Sequence, residues 1–177
     1  MPHLEFRMHW VETTGDKDKT SSLRSLERSD FFTRELDEMV LEGKVRVAIH
    51  SAKDLPDPMP VGLRVVFLSK GIDPRDCLVL HDGLKSNMVI ATSSERREAA
   101  VRSLLQGVKF VDIRGTIEER LAKLGEVDGV VIAAAALIRL KLQVNALYLP
   151  GPTAPGQGRL AVVGQDGDEE VSRWFSI

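Results

Sequence analysis

KVRVAIHSAKDLP, residues 44–56, is the stretch on which the reading of this chain turns. Val45, Val47 and Ile49 alternate with Arg46, Ala48 and His50, the two-residue period of a β-strand. The alternation stops at Ser51, and Asp54 follows just past the strand's carboxyl end, beside Lys53 and near His50. In open α/β sheets ligands collect in the crevice outside the carboxyl ends of strands. A carboxylate there is placed for chemistry, although a solvated loop acid capping the next turn would read the same way from position alone.

The composition sets bounds around this stretch. With 177 residues the chain makes one ordinary domain or two small ones. Its hydrophobic fraction of 43% and charged fraction of 28% are those of a globular protein. A net charge of −2 gives no reason to expect nucleic acid or an anionic membrane as partner. The single cysteine, Cys77, excludes an internal disulfide framework and a multi-cysteine metal site, so no metal is expected. Cys77 alternates with Val79 in an apolar run and reads as a small buried hydrophobe. No apolar run is long enough to span a bilayer, and MPHLEFRMHW lacks a signal-peptide core, which together read as cytoplasmic.

Upstream of the opening stretch, residues 4–12 (LEFRMHWVE) alternate loosely and read as a strand, and TTGD turns the chain. Residues 17–27 are polar and loop-like. Asp30 reads as the N-cap of a helix carrying Phe32, Leu36, Met39 and Val40 on one face, with Gly43 just past its C-cap. Downstream, a proline-rich turn precedes strands at 63–69 and 77–80. From Asn87 strands and helices alternate: strand 88–91, helix 95–106, strand 109–113, helix 117–124, strand 127–133 and a helix from Ala134 to about Leu142. That alternation argues for βαβ units and parallel pairing. Thr92 and Glu95 have the spacing of a capping box. A Pro/Gly-rich segment at 150–158 crosses to a last strand at 160–163.

The arginines of the second half converge. Arg96 and Arg97 occupy the first turn of a helix, where the helix dipole disfavours cations. Arg114 lies past a strand end, Arg120 on the short helix behind it, and Arg139 in the helix after the third strand. Singly, each is most simply a solvated surface group. Together their planar forks suit a ligand with several carboxylates or phosphates. Thr92, Ser93 and Ser94 add hydroxyls and N–H groups at a helix N-terminus. The residues therefore describe a two-lobed α/β protein with an acid on one lobe and an arginine cluster on the other. A non-catalytic anion-binding module stays open at this point, as does a structural or regulatory role.

HSAKDLP (50–56), ATSSERRE (91–98), RGTIEERLAKL (114–124), AAAALIRL (133–140) and APGQG (154–158) occur in an order and spacing that resemble hydroxymethylbilane synthase, or porphobilinogen deaminase. TTGD (13–16) and FFTRELDEMVLEG (31–43) match as well. The resemblance implies an α/β fold of two lobes like a type II periplasmic binding protein, with mixed sheets, flanking helices and an active site in the interlobe cleft. It implies a lobe one of residues 1–86 plus 159–177 and a lobe two of residues 87–158. The implied activity is a transferase of tetrapyrrole (haem) biosynthesis, which condenses four porphobilinogen molecules head to tail with loss of ammonia on a covalently held dipyrromethane primer. By the same resemblance Asp54 is the catalytic carboxylate, stabilising the cation left by ammonia and accepting pyrrole N–H bonds. Arg96, Arg97, Arg114, Arg120 and Arg139 match carboxylate-binding arginines, and Ser51, Lys53, Thr92 and Ser94 match supporting contacts. The family is typically monomeric. Departures are equally specific: Ser29 stands for a family lysine, Ala136 for a glycine, and the cysteine that attaches the primer has no counterpart, since Cys77 matches a strand position. The chain thus reads as a fragment or divergent short form, the alternative being a non-catalytic module that binds pyrrole carboxylates.

Overall fold

A computed structural model describes residues 4–18 and 30–175. Two sheets organise it. The first is antiparallel, in the order β1 (Val47–Ser51), β8 (Leu160–Gln165), β2 (Leu63–Leu68). The second runs β5 (Lys109–Val111), β4 (Val89–Ala91), β6 (Gly129–Ala133), β3 (Asp76–Leu80), β7 (Ala146–Tyr148). Within it β5, β4 and β6 are parallel, as βαβ units require, whereas β3 is antiparallel to both β6 and β7. Mixed sheets with flanking helices are what the sequence implied.

The expected lobe boundary falls differently in the strand pairing. Asp76–Leu80, assigned by sequence to lobe one, pairs residue for residue with β6 and belongs to the second sheet. The physical reason is burial. Every residue of β3 and of β6 is buried, with Cys77 and Val79 in one core cluster and Leu78 and Leu80 in another. An apolar strand of this kind needs cover on both faces, which only the centre of the larger sheet offers. Gly129 makes this pairing tight: a Cβ there would lie 2.8 Å from Leu78 Cδ1 and 2.9 Å from Ile90 Cδ1. Gly129→Ala is expected to cost about 1–3 kcal/mol by overpacking, read as a lower midpoint in thermal or urea unfolding.

Helices cover the sheets. α2 (Arg34–Leu41) lays Leu36 and Val40 against Ala48, Leu63 and Val163, the core of the first sheet. It ends as expected at Gly43, whose φ of +69° follows the C-cap Glu42. Its start differs: Asp30 opens a 3-10 turn and chelates Arg34 at 2.7 and 2.9 Å, while Thr33 is the N-cap. α3 (Glu95–Arg102) follows β4, α4 (Ile117–Leu121) follows β5 behind a Thr116–Glu119 capping box, and α5 (Ala134–Arg139) follows β6. The capping box expected at Thr92 and Glu95 does not form. Ser94 is the N-cap, and buried Thr92 accepts through its hydroxyl from the Ser94 N–H at 3.3 Å. A single turn α1 (Thr14–Lys17), β7 and the terminal α6 (Glu169–Phe175) complete the described elements. Ser29 and most of the polar stretch 17–27 lie outside the described residues.

Residues 4–12 form no strand. Among the described residues no segment pairs with them, and a strand without neighbours is not stable. They run as one wall of a cavity of about 790 Å³, whose other walls come from β1, α2 and α6. Two crossings link the sheets, residues 69–75 and 149–159, and they bond to one another. Ser69 N–H donates to Leu160 O (2.9 Å), Arg159 Nε to Ser69 O (2.8 Å) and Ile72 N–H to Gly158 O (3.1 Å).

Candidate active site

The carboxyl end of β1 runs directly into a 3-10 turn, Ala52–Asp54, which presents Lys53 and Asp54 half-buried. The second crossing lies against this turn. A Cβ on Gly156, whose φ is +74°, would stand 3.0 Å from the Ala52 carbonyl carbon. Only glycine permits both that backbone and that approach. Burial raises the Asp54 carboxyl above the ordinary carboxylate range, and Lys53, Arg97, Arg120 and His50 oppose the rise by charge. Burial likewise lowers the Lys53 amine; Asp54 and Asp76 counter this, whereas Arg97 and Arg120 add to it. Asp54, Ser51 and His50 all open onto the large cavity. His50 itself is buried, its Nε2 3.7 Å from Asp37 Oδ1. Burial lowers the imidazole's pKa and raises that of the Asp37 carboxyl, which favours a neutral pair.

Facing this turn is the arginine cluster, and the structure sorts its members. Arg97 and Arg96 both reach Asp76, the first residue of β3. Arg97 Nε and Nη2 donate to Asp76 Oδ1 at 3.0 and 2.8 Å, and Arg96 Nη1 to Oδ2 at 2.6 Å. Gln157 Nε2, from the second crossing, adds a 3.0 Å bond to the same Oδ1. Burial would raise the Asp76 carboxyl, but the two guanidinium groups overcome it and hold it below the usual range. Asp76 thus supplies the negative charge that explains two cations in the first turn of α3. Sequence analysis missed it. The available signal was an acid opening an otherwise apolar strand, DCLVL, because a buried carboxylate requires cationic partners.

Arg120 donates from Nε to Gly115 O at 2.8 Å. Burial, then the charges of Arg97 and Arg114, lower its pKa, and Asp54 opposes them. A guanidinium does not give up its proton, so this direction marks cations crowded together with too little negative charge between them. Arg114 donates to Gly15 O at 2.9 Å and to Asp18 O, with its guanidinium 5.7 Å from the Phe31 and Phe32 rings. Its Nη1 is buried with no hydrogen-bond partner among the described residues. Arg139 is exposed on α5 and donates to Gly158 O at 2.8 Å. The Ser93 hydroxyl, which the sequence grouped with those of Thr92 and Ser94, is taken up by Ile113: it donates to Ile113 O and accepts from the Ile113 N–H, both at 2.9 Å. Thr92 and Ser94 lie at the start of α3 below Arg96 and Arg97. Among the described residues no group of three His, Cys, Asp or Glu could hold a metal, and no helix is long and apolar enough to cross a membrane.

The family model described as "Porphobilinogen deaminase, dipyromethane cofactor binding domain" matches residues 2–173. The chain belongs to the porphobilinogen deaminase family. A probable porphobilinogen deaminase of Chlamydia muridarum is 43% identical over 169 residues, covering 91% of this chain and 69% of that one. One of Chlamydia pneumoniae is 40% identical, covering 99% and 76%. The porphobilinogen deaminase of Caldicellulosiruptor saccharolyticus is also 40% identical, covering 86% of this chain but only 56% of the relative. Among solved structures, a periplasmic substrate-binding protein of an ABC transporter from Coxiella burnetii aligns with a TM-score of 0.52 at 18% identity, covering 82% of this chain and 74% of that one. The lipoprotein Tp32 of Treponema pallidum aligns at 0.55 and 15%, covering 79% and 71%. These likenesses concern the fold, and they bear out its two-lobed α/β class.

Within the porphobilinogen deaminase family the matched region is the part that binds the dipyrromethane group. These cations fit a polycarboxylate: Arg114 Nη1 has no hydrogen-bond partner among the described residues, and the charges of Arg97 and Arg114 both bear on Arg120. Covalent attachment through Cys77 does not fit. Cys77 is buried in β3, its Sγ donates to Ile132 O at 3.3 Å, and burial raises its thiol to about 11. It borders a different cavity, of about 310 Å³, together with Leu137 and Tyr148.

Proposed function

We propose that this chain is a hydroxymethylbilane synthase-type transferase: it joins porphobilinogen units head to tail, releasing ammonia at each addition, with Asp54 as catalytic carboxylate. One observation supports the reading above the rest. Asp54 lines the large cavity, and the charges of Lys53, Arg97, Arg120 and His50 all act on its carboxyl. Loss of ammonia leaves positive charge on the pyrrole, and a fixed carboxylate lowers the energy of that state. Each pyrrole also brings two carboxylate arms, so the growing product needs the cations that Asp54 alone cannot balance. When bound, dipyrromethane supplies the pyrrole carbon to which the first porphobilinogen is joined. Arg114 and Arg120 would hold its arms, with Arg97, Lys53, Ser51, Thr92 and Ser94 as neighbours. Arg96 is committed to Asp76 and the Pro152 carbonyl, and Arg139 to Gly158. In this reading both shape the site's rim. The protein acts in the cytoplasm as a monomer.

Calorimetry with porphobilinogen, paired with an ammonia-release assay, tests this. Binding together with ammonia release is expected. Arg120→Met should weaken binding about 10–100-fold, the loss of one charge-assisted contact. Binding without ammonia release would instead establish the non-catalytic module, and no binding would remove both readings.

A further inference from the structure

Residues 156–158, the GQG of the second crossing, sit between the acid's turn and the first crossing. Gly156 packs on Ala52, and a Cβ on Gly158, whose φ is +85°, would lie 2.6 Å from Ile72 O. The Gly158 carbonyl is held from two sides, by Arg139 Nη2 at 2.8 Å and by the Ile72 N–H at 3.1 Å. With both neighbours fixed in this way the backbone of Gln157 has little freedom, and the residue is buried.

Only one end of the Gln157 amide is used. Nε2 donates to Pro74 O at 2.6 Å and to Asp76 Oδ1 at 3.0 Å. Both are acceptors, so the donor end of the amide must face them. Oε1 is buried with no hydrogen-bond partner among the described residues. A stranded buried acceptor costs stability, so packing alone does not account for a glutamine here. What its donor end holds does. Asp76 Oδ1 takes two N–H groups from Arg97 besides the one from Gln157, whereas Oδ2 takes one from Arg96.

Gln157 thus steadies the oxygen on which Arg97 hangs. The charge of Arg97 bears on both Lys53 and Asp54, and that of Asp76 bears on Lys53. The charged and titratable groups acting on Asp54 are Lys53, Arg97, Arg120 and His50; those acting on Asp76 are Arg97 and Arg96. Arg120 is anchored on Gly115 O, beside its own helix, whereas Arg97 is anchored by way of the second crossing.

We propose that Gln157 is a positioning residue for the acid: by clamping Asp76 to the crossing that also packs on the Asp54 turn, it sets where the Arg97 guanidinium stands against Asp54. This rests on the reading of Asp54 as the working carboxylate, so the test reads Asp54 directly and needs no turnover.

Carbon-13 NMR of carboxyl-labelled aspartate follows the Asp54 titration, with Asp54→Asn assigning the resonance. Gln157→Met keeps the length of the side chain and removes the amide. Arg97 then drifts and its hold on the Asp54 charge weakens. The carboxyl should become a weaker acid by about threefold or more, a fraction of what a close opposite charge supplies. The acid limb of ammonia release should move to higher pH by the same factor. With Asp76→Asn already in place, Gln157→Met should add nothing, because the link is gone. The parent gives a check that needs no variant. Coupling is reciprocal, so the Gln157 side-chain amide resonances should shift over the pH range in which Asp54 titrates. The proposal is overturned by an unmoved Asp54 titration in Gln157→Met, by an equal shift with Asp76→Asn in place, or by Gln157 amide resonances that stay flat while Asp54 titrates. Titrations as expected without any ammonia release would count against the transferase reading alone.

Discussion

Asp54→Asn abolishes ammonia release from porphobilinogen, by at least 10²–10³-fold on the scale of losing a principal electrostatic stabiliser, and it leaves the protein more stable. The two halves of this result have one cause. Burial raises the Asp54 carboxyl, and the charges of Lys53, Arg97 and Arg120 only partly restore it. For an acid with a raised folded-state pKa, its favourable contribution is complete below the unfolded value near 3.9. That contribution is lost as pH rises through the folded value. At neutral pH the ionised carboxylate therefore strains the fold, and the isosteric amide relieves it. Thermal melts at pH 7 should rise for Asp54→Asn and converge with those of the parent in acid. In the parent, turnover should fall on acidification at a higher pH than an ordinary aspartate would set, since the working form is the ionised one. Full activity in the variant, or a lower melting temperature at pH 7, would contradict this account.

Asp76→Ala has the opposite signature. Removing this carboxylate leaves Arg96 and Arg97 facing each other around an empty, buried position and takes one partner from Gln157. Breaking a buried pair by deleting one member costs about 3–5 kcal/mol, or roughly 6–20 °C in a chain of this size. Asp76 has a depressed pKa, so its stabilisation is present above the unfolded value and disappears as pH falls through the folded one. The parent should lose stability in strong acid along that limb, and Asp76→Ala should lack it. Differential scanning calorimetry between pH 2 and 7 measures both. A cost below 1 kcal/mol at neutral pH would show that the two arginines are held by something other than this acid.

How much of this was legible beforehand follows from which interactions are local. The strand-to-turn sequence around His50 and Asp54, the βαβ order after Asn87 and the glycine closing α2 depend on neighbours in the chain, and periodicity with capping chemistry exposes them. The family resemblance came from the same short stretches. What stayed hidden depends on pairing across long separations. Asp76–Leu80 reads as an apolar strand in any sheet, and only its register with Gly129–Ala133 decides which one. Residues 4–12 alternate like a strand but have no strand partner among the described residues. Arg96, Arg97 and Arg139 looked alike in sequence, yet an acid twenty residues away engages the first two and a crossing-segment carbonyl holds the third.

The doubled linkage between the sheets has a mechanical consequence. Its two passes are stitched together from Ser69 to Ile72 on one side and from Gly158 to Leu160 on the other. A tether of two bonded cords resists twisting and sliding far better than a single one, and bends easily only about the line across both. Gly156, packed on Ala52, joins that doubled tether directly to the turn that carries the acid.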